Sequence, residues 1–239
     1  MATSASDKLA VLIDADNAQA STVHELLAEV SRYGTASVKR AYGDWTTTKL
    51  AGWKEVLNRL AIQPIQQFSY TTGKNATDSA LIIDAMDLLH DGGLNGFCLV
   101  SSDSDFTRLA TRIREDGLVV YGFGEKKTPQ PFVAACDKFV YTEILRPHEV
   151  QSGTEEQAPE PLQPMLVAAI TATTRDNGWA ALSAVGSHVV KNSPSFDPRN
   201  YGCQKLSELV RRQPYVQVKD VPAGDGSTNV HLSVRLKET

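Results

Sequence analysis

Up to residue 145, the sequence alternates between short apolar runs and longer segments whose apolar residues have helical spacing. The apolar runs predict six β-strands, at residues 9–14, 36–42, 62–68, 96–101, 118–123 and 138–145. Five predicted helices separate them, at residues 18–33, 49–61, 77–90, 105–116 and 130–136. This alternation favours a parallel sheet with helices on both faces, because each parallel crossover needs a connecting segment. We therefore predict a three-layer α/β domain over residues 7–146, and we take 3-2-1-4-5 as the order of its first five strands.

Four aspartates stand where these apolar runs end or where a helix begins. Asp14 ends the first run, Asp78 begins the helix before the fourth strand, and Asp103 and Asp105 follow the fourth strand. In the expected strand order the chain reverses between the first and fourth strands, which is where doubly wound sheets bind ligands. Carboxylates gathered there repel one another unless a divalent cation lies among them. The pattern predicts a solvent-exposed metal site that acts on phosphates.

Each aspartate taken alone also has a structural explanation. Asp78 can occupy the third position of a helix that Asn75 caps, and Asp103 can cap the helix that begins near Asp105. Asp14 is different, because it follows five consecutive apolar residues and no helix begins at the next position. Capping therefore does not explain Asp14.

Three more polar residues lie close to these positions in the sequence. Asn17 can ligate a metal through its side-chain oxygen or cap the helix that follows it. Asp16 shares the loop after Asp14, and Asp84 lies six residues after Asp78, about 120° further round the helix. We expect Asp16 and Asp84 to lie outside the set of direct ligands, with Asp84 holding a neighbouring loop.

Composition divides the chain into two parts. The stretch 147–164 contains four prolines, several acids and few aliphatic residues, so we assign residues 147–163 to a linker. From residue 161 onward there are nine basic and six acidic residues, whereas the preceding part is acidic. An acidic body with a basic appendage fits a catalytic domain joined to a nucleic-acid-binding module. The N-terminus has no secretory signal pattern and the three cysteines are widely spaced, so we expect a cytoplasmic protein without a membrane segment.

The region after the linker has a different pattern. Helices are predicted at residues 164–176, 181–191 and 203–213, followed by two strands around a turn-rich segment. Three helices and a two-stranded wing constitute a winged-helix domain, which we assign to residues 164–239.

Three blocks of the first domain resemble one family. LIDADN, KNATDSALIIDAMDLL and LVSSDSDF occur in the order and spacing of the NYN domain family, relatives of the PIN-domain nucleases. The resemblance implies a PIN-like fold and cleavage of RNA phosphodiester bonds with Mg²⁺ or Mn²⁺. On the family pattern, the acidic metal ligands are matched by Asp14, Asp78 and Asp103. A further acidic position is matched by Asp105, and the asparagine near the first aspartate by Asn17.

The loops near the predicted acidic edge contain lysines. Lys74, Lys126 and Lys127 are placed where they can contact an RNA backbone, although solvated loop lysines have the same appearance in a sequence.

The C-terminal domain resembles the OST-HTH or LOTUS family, most specifically in the block FDPRNYG followed by KLSELV. The resemblance implies RNA binding, and in some members binding to protein partners. Lys205, Arg211 and Arg212 can meet phosphates, and Tyr201 can stack on a base. Alternatively, Tyr201 packs on the core and the three cations only solvate the helix.

Other interpretations of the acidic residues match the sequence in part. Asp14 and Asp16 match the DxD motif of haloacid-dehalogenase-type phosphatases, in which Asp14 would be a covalent nucleophile, but the usual Gly-Thr continuation is absent. A Toprim site would need Glu in place of Asp14, and a response regulator would need an aspartate where the third strand ends in Gln66 and Gln67. A non-catalytic RNA-binding or scaffold protein remains the main alternative to a metal-dependent ribonuclease of two domains.

Overall fold

The computed structural model describes residues 6–68, 76–145, 161–222 and 230–237. The chain forms two compact units, Met1–Glu155 and Glu156–Thr239, and each is described by itself below. Lys74, Asn75 and most of the predicted linker lie outside the described residues, so the predictions made for them stay predictions.

Six parallel strands form the sheet of the first unit. They are β1 (Lys8–Asp14), β2 (Thr35–Gly43), β3 (Gln63–Gln66), β4 (Gly96–Val100), β5 (Val119–Gly124) and β6 (Lys138–Tyr141). The order across the sheet is β3-β2-β1-β4-β5-β6, which confirms the expected order of the first five strands. The chain therefore reverses between β1 and β4, which places the switch point where the sequence predicts it.

Helices cover both faces of this sheet. They are α1 (Val23–Val30), α2 (Trp53–Arg59), α3 (Ala76–Asp91), α4 (Thr107–Glu115) and α5 (Gln130–Ala135). Because strand side chains alternate between faces, the odd-numbered residues of β1 from Leu9 to Ile13 pack in the core under α1 and α2. Ala10 and Leu12 pack in the core under α3, α4 and α5. The same alternation places Asp14 on the α3 side of the sheet.

Some element boundaries differ from the predicted ones. The helices predicted at 18–33 and 105–116 each begin with a 3₁₀ turn, at Ala20–Thr22 and Ser104–Phe106. The strand predicted over 138–145 ends at Tyr141, and a 3₁₀ turn follows. It ends there because Tyr141 pairs with Gly124, the last residue of β5.

Pro64 lies in β3, at one edge of the sheet. The N–H of Gln67 donates to the carbonyl oxygen of Gly43 in β2 at 3.1 Å. Because hydrogen-bonding direction alternates along a strand, Pro64 then faces the open edge, where its missing N–H breaks no bond to β2. Proline is tolerated in this strand for that reason.

The second unit has three helices and a small antiparallel sheet. The elements are α6 (Leu162–Thr173), α7 (Leu182–Asn192), α8 (Leu206–Arg211), β7 (Ala180–Ala181), β8 (Val216–Pro222) and β9 (Val230–Leu236). The sheet order is β7-β9-β8, and apolar side chains of all three helices meet the sheet in one core. The arrangement is the predicted winged helix with one additional strand, β7. That strand has only two residues, which is too short to give a periodic signal in the sequence.

The turn predicted between β8 and β9 lies outside the described residues. Among the helices that are described, none combines the length and the apolar character needed to span a bilayer.

Candidate functional site

Asp14 lies at the carboxyl end of β1 and is fully buried, with 0% exposure. One carboxylate oxygen, Oδ2, accepts hydrogen bonds from Asn17 Nδ2 at 2.7 Å and from Ser101 Oγ at 2.8 Å. The other, Oδ1, accepts from the backbone N–H of Asp16 at 3.2 Å. The expectation that this carboxylate is exposed to solvent is therefore wrong, because these neighbouring residues enclose it.

Burial has a direct electrostatic consequence for Asp14. Loss of solvent raises the pKa of its carboxyl, and the negative charge of Asp16 raises it further. The hydrogen bonds from Asn17 and Ser101 lower the pKa and so offset part of this effect. The charged form of Asp14 is therefore unfavourable at this buried position, and the hydrogen bonds from Asn17 and Ser101 stabilise it.

Three other carboxylates converge at the same edge of the sheet. Asp78, Asp103 and Asp105 can each offer one oxygen such that the three oxygens lie within 4.8 Å of one another. Asp78 is in the first turn of α3, and Asp103 and Asp105 begin the 3₁₀ turn after β4. The sequence predicts that these three residues lie close together, and in the structure they do. Asp14 lies outside this group, so its role as a direct ligand stays a prediction.

The carboxylates of this group influence one another. Partial burial raises the pKa of Asp78 to about 6, and the charges of Asp14, Asp103 and Asp105 contribute to the rise in that order. Asp14 is therefore close enough to act on Asp78 electrostatically. A divalent cation among these groups would neutralise the repulsion.

The donor set fits a hard cation. Carboxylate oxygens are the ligands that Mg²⁺ and Mn²⁺ prefer, and this group contains no thiol or imidazole. Asp103 has a second task, because its Oδ1 accepts the backbone N–H of Asp105 at 3.0 Å as the cap of the 3₁₀ turn. The capping role considered for Asp103 is thus real, and it fixes the carboxylate in position while the other oxygen can face a cation.

Metal binding at this site should depend on pH. The pKa of Asp78 in the folded chain, about 6, lies above the ordinary value of 3.8. As the pH rises through about 6, the Asp78 carboxyl loses its proton and the folding stability therefore falls. A cation bound to the resulting carboxylate would restore that stability. We expect Mn²⁺ to raise the melting temperature more at pH 7 than at pH 5, as measured by differential scanning fluorimetry. An Asp78→Asn variant should lose this pH dependence, and an unchanged dependence in that variant would contradict the assignment.

Asp16 and Asp84 have structural partners. Asp16 Oδ2 accepts a hydrogen bond from Thr77 Oγ1 at 3.0 Å, which ties the loop after β1 to the start of α3. Asp84 accepts from Arg40 Nη1 at 3.0 Å and from the Tyr42 hydroxyl at 2.9 Å. Asp84 therefore holds strand β2, and the expectation that it holds a loop is wrong.

Asn17 does not cap the helix that follows it. The N-cap position of the 3₁₀ turn before α1 is Gln19, and the Asn17 amide instead donates to Asp14. Sequence reasoning missed Ser101 and Thr77, which hold Asp14 and Asp16. Ser101 directly follows β4, and a polar residue at the end of a buried strand is the only sequence signal that points to it.

The lysines predicted to contact RNA differ in their surroundings. Lys127 is 75% exposed and forms an ion pair of 2.7 Å with Glu125. The backbone N–H of Lys126 donates to Glu143 Oε1 at 2.8 Å, which anchors the loop after β5. Both residues follow the carboxyl end of β5, one strand beyond β4.

In the second unit, most of the predicted RNA-contacting residues already have protein partners. Arg211 pairs with Asp220 and Arg212 with Glu208, both at 2.6 Å on the surface. Exposed pairs of this kind contribute little to stability. The Tyr201 ring lies against Phe196 with 5.9 Å between ring centroids, so Tyr201 packs partly on the core.

Lys205 and Trp179 differ from Arg211, Arg212 and Tyr201 in their surroundings. Lys205 is exposed at the N-terminal end of α8. Trp179 is only partly buried, and Arg235 lies over its ring at 4.7 Å.

Two family profiles match the chain. The NYN domain matches residues 8–145, and the OST-HTH/LOTUS domain matches residues 158–228. No curated protein matches the sequence.

Solved structures give further similarities. A protein of unknown function from Vibrio parahaemolyticus aligns with a TM-score of 0.50 and 20% identity, covering 59% of this chain and 96% of that one; at this identity the likeness concerns the fold alone. A fragment from Chromobacterium violaceum is 42% identical over 36% of this chain and 90% of its own, with a TM-score of 0.29. A protein from Nitrosomonas europaea is 30% identical over 38% of this chain and 93% of its own, with a TM-score of 0.30.

Proposed function

Because the chain belongs to the NYN domain family, we propose that it is a metal-dependent ribonuclease whose C-terminal module binds the RNA substrate. NYN domains are typically nucleases, and OST-HTH/LOTUS domains bind RNA. The observation that carries the proposal is the convergence of three carboxylate oxygens within 4.8 Å at the switch point of the sheet.

The residues of this site have different proposed roles. Asp78, Asp103 and Asp105 would hold Mg²⁺ or Mn²⁺, which when bound supplies an activated water and neutralises charge on the scissile phosphate. Asn17 and Ser101 keep the buried Asp14 carboxylate in place, and its charge strengthens the negative field at Asp78. The bond between Asp16 and Thr77 fixes the loop after β1 relative to the first turn of α3. Preorganised charges of this kind need little rearrangement when a cation and a phosphate bind.

A cleavage assay tests the proposal. Purified chain should cut a mixture of RNA substrates when Mn²⁺ is present and should stop when the metal is chelated. Parallel DNA substrates report the selectivity for RNA. A pure protein that leaves every RNA intact with Mg²⁺ or Mn²⁺ would support the alternative, a non-catalytic RNA-binding or scaffold protein.

Removing the Asn17 amide should weaken the site without unfolding it. In Asn17→Ala, Asp14 loses the shorter of its two side-chain hydrogen bonds. Loss of a partner that orients an acidic group at a metal site typically costs about 10- to 100-fold in metal affinity or activity. We expect a loss of that order in cleavage rate at limiting Mn²⁺, with an unchanged circular dichroism spectrum. Full activity in Asn17→Ala would show that the hydrogen bond from Asn17 to Asp14 has no part in the reaction.

The geometry of Asp14 argues against the phosphatase alternative. A covalent nucleophile must reach the phosphorus atom, whereas Asp14 is 0% exposed and both of its oxygens accept hydrogen bonds. We also propose that the protein acts in the cytoplasm, in agreement with three buried cysteines that form no disulfide. We further propose that the LOTUS module can also contact protein partners.

A further inference from the structure

A groove of about 970 Å³ follows the outer edge of the sheet in the first unit. It is bounded by the loop after β2, by helix α2 and by strand β3, and its floor is apolar, with Leu50, Leu57 and Ile62. Its size is that of pockets that hold small organic ligands, which typically combine an apolar wall with a few polar groups. The residues of the acidic cluster are not among those that line this groove.

The polar residues of the groove are suited to an anionic ligand. Lys54 and Asn58 line it from consecutive turns of α2, and Thr48 lines it from the loop after β2. Among the described residues that line it, none is acidic, although the first unit as a whole is acidic. Two carboxylates adjoin lining residues in the sequence, Asp44 and Glu55. Asp44 accepts hydrogen bonds from Thr46 in its own loop and from Gln66 in β3, and Glu55 is exposed on α2.

Trp45 forms one wall of the groove as a fixed, half-buried ring. Its indole Nε1 donates to the carbonyl oxygen of Ile65 at 2.9 Å, and its edge packs on Trp53 with 6.2 Å between ring centroids. An aromatic ring held in this way loses little conformational entropy when a base stacks on it. Stacking on such rings tolerates any base.

One end of the groove lies at the edge of the sheet where β1, β2 and β3 end. Asp14 in β1 pairs with Tyr42 in β2, and Gly43 in β2 pairs with Gln66 in β3. Adjacent strands are about 4.8 Å apart, so the Trp45 end of the groove lies roughly 10 Å from the end of β1. A polynucleotide with one phosphate at the acidic cluster can therefore continue across the ends of β1 and β2 into the groove.

An extended peptide fits this edge less well than RNA does. A peptide that adds to a sheet uses the outward N–H and C=O groups of the edge strand. In β3 the outward position in the middle of the strand is Pro64, which has no N–H to donate.

From these observations we propose that the groove between α2 and β3 binds unpaired nucleotides of the RNA, with Trp45 stacking on a base and Lys54 contacting a phosphate. The proposal rests on the proposed ribonuclease function, and it adds the place where the flanking RNA is held. Bases in a duplex are already stacked and paired, so they cannot enter the groove.

Photo-crosslinking tests the groove separately from cleavage. The experiment uses the two-unit chain with Asp103→Asn, because this variant is expected to leave RNA intact. It is irradiated with a single-stranded oligomer of about twelve nucleotides that contains 5-iodouridine. The adducts are then mapped by peptide mass spectrometry. We expect an adduct on Trp45 that unlabelled single strands remove by competition and a duplex of equal length does not. Adding Lys54→Ala should lower its yield about three- to tenfold, whereas Lys49→Ala, an exposed lysine outside the groove, should not.

The possible outcomes separate the two proposals. Adducts confined to the second unit, or equal losses in the Lys54 and Lys49 variants, would overturn the groove assignment, and a groove made for a peptide would give no Trp45 adduct. Cleavage by the wild type without that adduct contradicts only the groove. The adduct without any cleavage by the wild type contradicts only the ribonuclease proposal.

Discussion

Replacing Asp103 by Asn is expected to lower Mn²⁺-dependent RNA cleavage by at least about 100-fold, since this removes a charge that would bind the cation directly. The amide oxygen of Asn can still accept the Asp105 N–H, as Asp103 Oδ1 does at 3.0 Å, so the cap of the 3₁₀ turn should survive. The variant should therefore fold as the wild type does. Cleavage is measured on a labelled RNA under single-turnover conditions, and circular dichroism reports the fold.

Asp87→Asn is the matched control for this experiment. It makes the same change of charge on an exposed residue of α3 that is not part of the acidic group. Its cleavage rate should stay within about twofold of the wild type, because screening by salt weakens the effect of an exposed charge. Equal losses in both variants would mean that general electrostatics, and not metal ligation, explains the effect of Asp103.

Replacing Phe97 by Ala is expected to destabilise the first unit by about 3–5 kcal/mol. Phe97 is the second residue of β4 and has 0% exposure, and it packs in the core that α3 and α4 share with the sheet. Total folding stabilities are about 5–15 kcal/mol, so much of the stability of this unit would be lost. Because the chain has two units, unfolding in urea is followed by peptide-resolved hydrogen exchange in β4 and β5.

Ile83→Ala provides the comparison for Phe97→Ala. Ile83 is 61% exposed on α3, and surface substitutions of this kind usually change stability by less than about 0.5 kcal/mol. A loss for Ile83→Ala similar to that for Phe97→Ala would contradict the described packing of α3 on the sheet.

The sequence predicts the sheet well because its signals are local and periodic. Continuous apolar runs such as β1 and β4 are recognisable as buried strands, and the connecting helices determine that the strands run parallel. The convergence of Asp78, Asp103 and Asp105 follows from that topology, because strand and helix ends meet at one edge. These positions could therefore be predicted before any side chain was placed.

Other features depend on contacts that have no periodic signal. The burial of Asp14 results from Asn17 and Ser101, which are far apart in the sequence from each other but both donate to the same oxygen. Whether a lysine or arginine is paired depends equally on its spatial neighbours, as the Lys127–Glu125 and Arg211–Asp220 pairs illustrate. Tertiary packing decides such contacts, and the sequence alone leaves them open.

A calorimetric titration with Mn²⁺ at neutral pH tests the metal centre most directly. We expect the full chain to show a saturable site whose affinity falls by at least about tenfold in Asp78→Asn and in Asp105→Asn, since each change removes one of the three converging carboxylates. Asp87→Asn should bind Mn²⁺ as the wild type does. If the wild type shows no saturable binding, or if all four proteins give the same titration, the acidic cluster is not a metal site.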